Sequence, residues 1–158
     1  QARRWAHRPD DLGACAAAML ARRGEAADGP RVLAALRRLV RSQGPDARGL
    51  RSLVEGAGRL ALTAAVPVLR HVYRETSSSL LRGHAARALA ATDPSFPAGF
   101  AIECLWDCEE DTRATGARYA TTVDTRVVAR LRGLAADPAE QAGVRTVVRG
   151  RLAGRAAG

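Results

Sequence analysis

"AAVPVLRHVYRETSSSLLRGHAARALAAT", residues 64–92, decides how the chain is read. Its first half opens with a P-x-L element at 67–69, and proline suits the first turn of a helix, where its missing N–H has no intrahelical partner. "SSS" at 77–79 supplies a turn and a helix cap. The second half follows the pattern L-R-x-x-A-A-x-A-L, with Leu81, Ala85 and Leu89 on one apolar stripe. The stretch reads as a helical hairpin.

The same punctuation recurs along the chain. "GEAADGP", "QGPD", "ETSSS", "TDPSFP" and "ADPAE" separate helical segments, and "VDT" opens another. Helices are predicted over 10–23, 31–43, 46–59, 62–76, 79–91, 96–108, 110–122, 125–135 and 139–153. Apolar–polar alternation is not sustained anywhere, so no strand is predicted.

The hairpins repeat. "LRSLVEGA", "LRGHAARALAA", "TRATGARYATT" and "VRTVVRGRLAG" align on Arg51, Arg82, Arg113 and Arg145, in steps of 31, 31 and 32 residues. Three further series fall in phase: Arg87, Arg118 and Arg149; Leu69, Phe100 and Leu131; Asp93 and Asp124. A period near 31 with two helices per repeat is the pattern of an α-solenoid. With its "P-x-L" or "P-x-x-F" openings and its "LR-x-x-AA-x-AL" second helices, the chain resembles HEAT repeats, in particular the short bacterial HEAT-like form related to armadillo-type arrays. The resemblance covers roughly residues 30–153 and is clearest at 64–92. "RVLAALRRLVRSQGPDARGLRSLVEG" departs from it, with no proline inside its first helix. The expected architecture is all-α: an N-terminal helix and linker over 1–29, then about four helix pairs over 30–158, in a single domain.

Composition agrees. The 158 residues are 47% apolar and 4% aromatic, which suits thin, closely packed alanine-rich helices. The net charge is +9, and all 25 basic residues are arginine; lysine and asparagine are absent, a pattern of GC-rich codon usage. The charge is physically real, and its placement matters more than its sum. Cys15, Cys104 and Cys108 form no disulfide framework, which fits a reducing, cytoplasmic setting. No apolar run reaches membrane-spanning length. Gln at position 1 points to a chain that begins within a longer protein.

Residues 103–113, "ECLWDCEEDTR", hold two cysteines, a tryptophan and five carboxylates. Glu109, Glu110 and Asp111 fall at a helix start, where carboxylates meet free N–H groups and the positive end of the dipole. Glu103 and Asp107 stand four apart, as do Cys104 and Cys108, so each pair is expected on one helical face. Two thiolates so spaced would need His71 or His84 to complete a metal site. The spacing is not C-x-x-C, so no metal, no cofactor and no disulfide are expected. Trp106 is expected to pack on the next repeat or to stack a ligand.

The arginine series divide by position. In HEAT-like repeats the arginine opening the second helix supports the stack, which assigns Arg82, Arg113 and Arg145 a structural role. Arg87, Arg118 and Arg149 lie off the apolar stripe and would line the concave side of a solenoid. No Gly-rich phosphate loop, H-E-x-x-H motif or nucleophile triad accompanies them. The expected function is a non-enzymatic scaffold binding a protein through that face, with Trp106, Asp107 and Glu103 as further binding residues. Two alternatives stand beside it. One is DNA binding of the kind HEAT-like alkylpurine DNA glycosylases perform. The other is an enzyme or accessory subunit of a specialised bacterial pathway using the 103–111 carboxylates.

Overall fold

Helix boundaries follow the polar punctuation. Asp10, Ser78 and Asp124 each accept a hydrogen bond from a first-turn N–H, of Gly13 at 3.0 Å, Leu81 at 3.2 Å and Arg126 at 2.8 Å. The computed structural model describes residues 1–156; the last two residues of the expected array, 157 and 158, lie outside them. The described residues are all-α, with no strand. In chain order the helices are α1 (Ala2–Trp5), α2 (Asp11–Arg23), α3 (Gly29–Gln43), α4 (Leu50–Arg59) and α5 (Val66–Glu75). They continue with α6 (Ser79–Thr92), α7 (Phe100–Cys104), α8 (Glu110–Tyr119), α9 (Thr125–Ala136) and α10 (Ala142–Ala156).

Three 3₁₀ turns, Ala26–Asp28, Thr63–Ala65 and Phe96–Ala98, lead into α3, α5 and α7. Pro30 and Pro67 then sit in the first turns of α3 and α5. The first hairpin therefore has its proline, just ahead of the predicted start at 31. Its first helix, α3, runs 15 residues where α5 runs 10. The helix expected from 46 begins at Leu50, because Gly44 and Gly49 carry positive φ of 83° and 84° and form a turn. Helix α1 carries no signal that separates it from a frayed terminus.

The chain forms two compact units, Gln1–Asp93 and Pro94–Gly158. In the first, α3–α4 and α5–α6 are hairpins, and α4 lies between α2 and α6. The expected division at 29/30 falls inside this unit, where α2 packs on α3 and α4. In the second, α7–α8 and α9–α10 are hairpins, with α8 against α10. Leu69, Leu81 and Leu89 are buried in the first unit, and Phe100 and Leu131 in the second. A fully buried leucine is worth roughly 1.5–3 kcal/mol over an exposed one.

Alanine and glycine let the helices approach closely. A Cβ on Gly56 of α4 would lie 2.5 Å from the Cβ of Ala21 on α2. One on Gly116 of α8 would lie 2.7 Å from the carbonyl oxygen of Ala101 on α7. Both distances are too short for any side chain, so these two contacts require glycine.

Candidate functional site

The two arginine series have different surroundings. Arg113, in the first turn of α8, is mostly buried. Its Nε and Nη2 each donate to a Glu140 carboxylate oxygen at 2.7 Å, and its Nη1 donates to the carbonyls of Asp107 and Cys108 at 2.8 Å. This one side chain ties the α7–α8 turn to the α9–α10 turn. Hydrogen bonding from Arg113 holds the Glu140 carboxyl below the usual range, although burial opposes the shift. Arg145, the next member, does the same for its own turn, donating to the carbonyls of Asp137 at 3.3 Å and Pro138 at 3.0 Å.

Arg118 and Arg149 stand further along α8 and α10, which pack on each other. Arg118 is exposed and joins no ion pair among the described residues. Arg149 is exposed and reaches the carbonyl of Ala135 at 3.4 Å. Arg87, on α6 of the first unit, is also exposed, and its Nη2 lies 2.8 Å from Nδ1 of His84. Buried His84 places the same Nδ1 2.9 Å from Oε1 of Glu55 on α4, which also accepts from Nε of Arg51 at 3.0 Å. This four-residue polar group escaped the sequence reading. Glu55 and His84 lie 29 positions apart on successive second helices, so the repeat period is the signal that could have paired them.

The 103–113 stretch differs from expectation. Helix α7 ends at Cys104, and residues 105–109 are a turn. Asp107 accepts from the Glu109 N–H at 2.9 Å, a local bond that competes with helix continuation. Glu103, exposed on α7, and Asp107, in the turn, therefore share no helical face. Neither do Cys104 and Cys108: Cys104 is buried at the helix end, and Cys108 is exposed in the turn. Glu109 is the N-cap position of α8, with Glu110 and Asp111 in its first turn, as expected. Among the described residues no three His, Cys, Asp or Glu side chains cluster as metal ligands would.

Trp106 is 55% exposed rather than packed into the stack. The guanidinium of Arg130, from α9, sits 5.6 Å from its ring centroid, within cation–π range. Arg130 is fixed there by two hydrogen bonds to the carbonyl of Leu105, at 3.1 and 3.0 Å. Sequence reading missed Arg130, which belongs to neither phased series. Thus the second unit holds Trp106, Asp107, Glu103, Arg118 and Arg149, and the first holds Arg87. No helix among the described residues is long and apolar enough to cross a membrane. No family profile, curated protein or solved structure matches the chain.

Proposed function

We propose that the protein is a HEAT-like α-solenoid that acts as a non-enzymatic scaffold and binds an acidic face of a partner protein. The observation that carries this reading is the contrast within α8. Arg113 is consumed by Glu140 and two turn carbonyls, while Arg118 is exposed and joins no ion pair among the described residues. Arg118 is therefore available to a ligand. Exposed Trp106 under half-buried Arg130 adds an aromatic–arginine pair, and Trp and Arg are enriched at the energetic centres of protein interfaces. The pairing of second helices within each unit supports the repeat reading.

The test uses cross-linking capture from nuclease-treated lysate over a salt series, with captured proteins identified by mass. Arg118→Gln with Arg149→Gln, and separately Trp106→Ala, should lose one and the same acidic protein. Their melting temperatures should stay at the parent value. Arg113→Gln should lower the melting temperature instead. If neither surface change alters what is captured, the scaffold reading fails. If the parent protein shifts duplex DNA with steep salt dependence and the double variant does not, the partner is nucleic acid.

A further inference from the structure

A cavity of about 720 Å³ opens on the first unit between α2, the second half of α3 and the start of α4. That volume falls in the usual range of small-molecule sites, roughly 300–1,000 Å³. Its inner wall is apolar, formed by Ala14 and Ala18 of α2, Leu39 of α3 and Leu53 of α4. The end at the α3–α4 turn is polar: Arg48, Ser42, Gln43 and Ser52 all line it.

Charge at the two ends is unequal. Near α2, Arg8 is neutralised by Asp10, with Nη2 to carboxylate oxygen at 2.5 Å, and Asp10 also caps the helix through the Gly13 N–H. These bonds draw the Asp10 carboxyl down to about 2, so it stays ionised and keeps Arg8 engaged. At the other end Arg48 is exposed and joins no ion pair among the described residues. Arg38 spends one nitrogen on the carbonyl of Ala6, at 3.3 Å, leaving its other donors available. Arg8, Arg38 and Arg48 against Asp10 and Asp11 leave a surplus of one positive charge around the cavity.

We propose that this cavity binds a small monocarboxylate with an apolar body. The carboxylate would take the fork of Arg48, supported by Arg38 and by the amide donor of Gln43. The hydrocarbon would lie along Ala14, Ala18, Leu39 and Leu53 and displace water from them. This site is separate from the partner-binding surfaces proposed above and does not depend on them.

Cys15 provides the reporter, because its exposed thiol lies on the cavity wall, while the exposed thiol of Cys108 lies in the second unit. Iodoacetamide labelling of both thiols is followed by mass as octanoate is added, with the neutral octanamide as comparison. Octanoate should slow labelling of Cys15 saturably and leave Cys108 unchanged. Octanamide should need about tenfold more to reach half effect, and Arg48→Gln should raise the octanoate requirement by a similar factor, on the order of one charge-assisted hydrogen bond. Ala18→Phe, which fills the apolar wall, should abolish the effect. Circular dichroism establishes that each variant is folded. Equal slowing of both thiols, equal potency of octanamide, or unchanged octanoate potency in folded Arg48→Gln overturns the proposal.

Discussion

Asp46 and Glu140 do the same job in the two units with different chemistry. Each is an acidic residue of a hairpin turn, and each reaches across to the turn of a neighbouring hairpin. Asp46, in the α3–α4 turn, accepts from the Thr76 hydroxyl at 2.5 Å, the Ser77 N–H at 3.1 Å and the Ser77 hydroxyl at 2.9 Å. Glu140, in the α9–α10 turn, accepts both arms of the Arg113 guanidinium and is almost fully buried. In the first unit the acid comes from the earlier hairpin and its donors are neutral. In the second it comes from the later hairpin and its donor is a cation. Both units thus cross-link neighbouring hairpin turns through a carboxylate, but the hairpin that supplies the acceptor differs.

The comparison breaks most visibly at Glu140. Glu140→Ala leaves Arg113, with 15% of its side chain exposed, without its carboxylate, and should cost about 3 kcal/mol in thermal or urea unfolding. Replacing Arg113 by Met and Glu140 by Leu together should recover part of that loss. Recovery should stop short because Arg113 also holds the carbonyls of Asp107 and Cys108. Asp46→Ala removes bonds from neutral donors at an exposed turn and should cost about 1–2 kcal/mol. If the two losses came out equal, the charged pair would contribute no more than the hydroxyl cluster.

Acid sharpens the same contrast. Thr76 and Ser77 hold the Asp46 carboxyl below its ordinary value of 3.8, and Arg113 holds Glu140 below its ordinary 4.5. A carboxylate with a depressed folded pKa contributes stability that is complete above its unfolded pKa and is lost as pH falls through the folded one. The contribution of these two carboxylates should therefore be flat above about pH 5 and decline below it. Urea midpoints measured from pH 6 down to pH 2 should show a shallower acid decline in Glu140→Gln than in the parent, and a smaller flattening in Asp46→Asn. An unchanged decline in both variants would place the acid sensitivity in other carboxylates, of which Asp10, Asp28 and Asp124 are also depressed.

Much of this was legible because hydrophobic spacing and turn chemistry are local. Leu69, Leu81, Leu89, Phe100 and Leu131 were expected inside and are buried. The chain also has the all-helical character that its Pro, Gly and Asp breaks implied. The errors came where a side chain outbids helix continuation. "ECLWD" keeps an apolar rhythm past residue 104, but Asp107 bonds the Glu109 N–H and Arg113 takes the carbonyls of Asp107 and Cys108. The D-x-E spacing was the available sign of that turn. Contacts that join one hairpin to another, such as Glu55 with His84 and Arg130 with Trp106, depend on packing register, which local pattern does not carry.

The smallest expected effect concerns a turn that breaks its own rule. After α4, the Leu62 N–H donates to the carbonyl of Ala57 at 2.9 Å and the Ala61 N–H to that of Gly58 at 3.0 Å. This 6→1 and 5→2 pair is a Schellman motif, whose C′ residue takes a left-handed conformation and is usually glycine. Here it is Ala61, with φ of 50°. A left-handed L-residue carries roughly 1–2 kcal/mol of strain, which glycine removes. Glycine also loosens the unfolded chain, by up to about 1 kcal/mol, which offsets part of the gain. Ala61→Gly should therefore stabilise the first unit by about 0.5–1 kcal/mol. The motif is worth keeping because Leu62, its next residue, packs against α3 so closely that a Cβ on Gly29 would lie 2.6 Å from the Leu62 Cδ2. Hydrogen exchange at the amides of α4 and α6 should slow in Ala61→Gly and quicken in Asp46→Ala. Faster exchange in Ala61→Gly would mean that the turn is held by its neighbours strongly enough to make the backbone strain irrelevant.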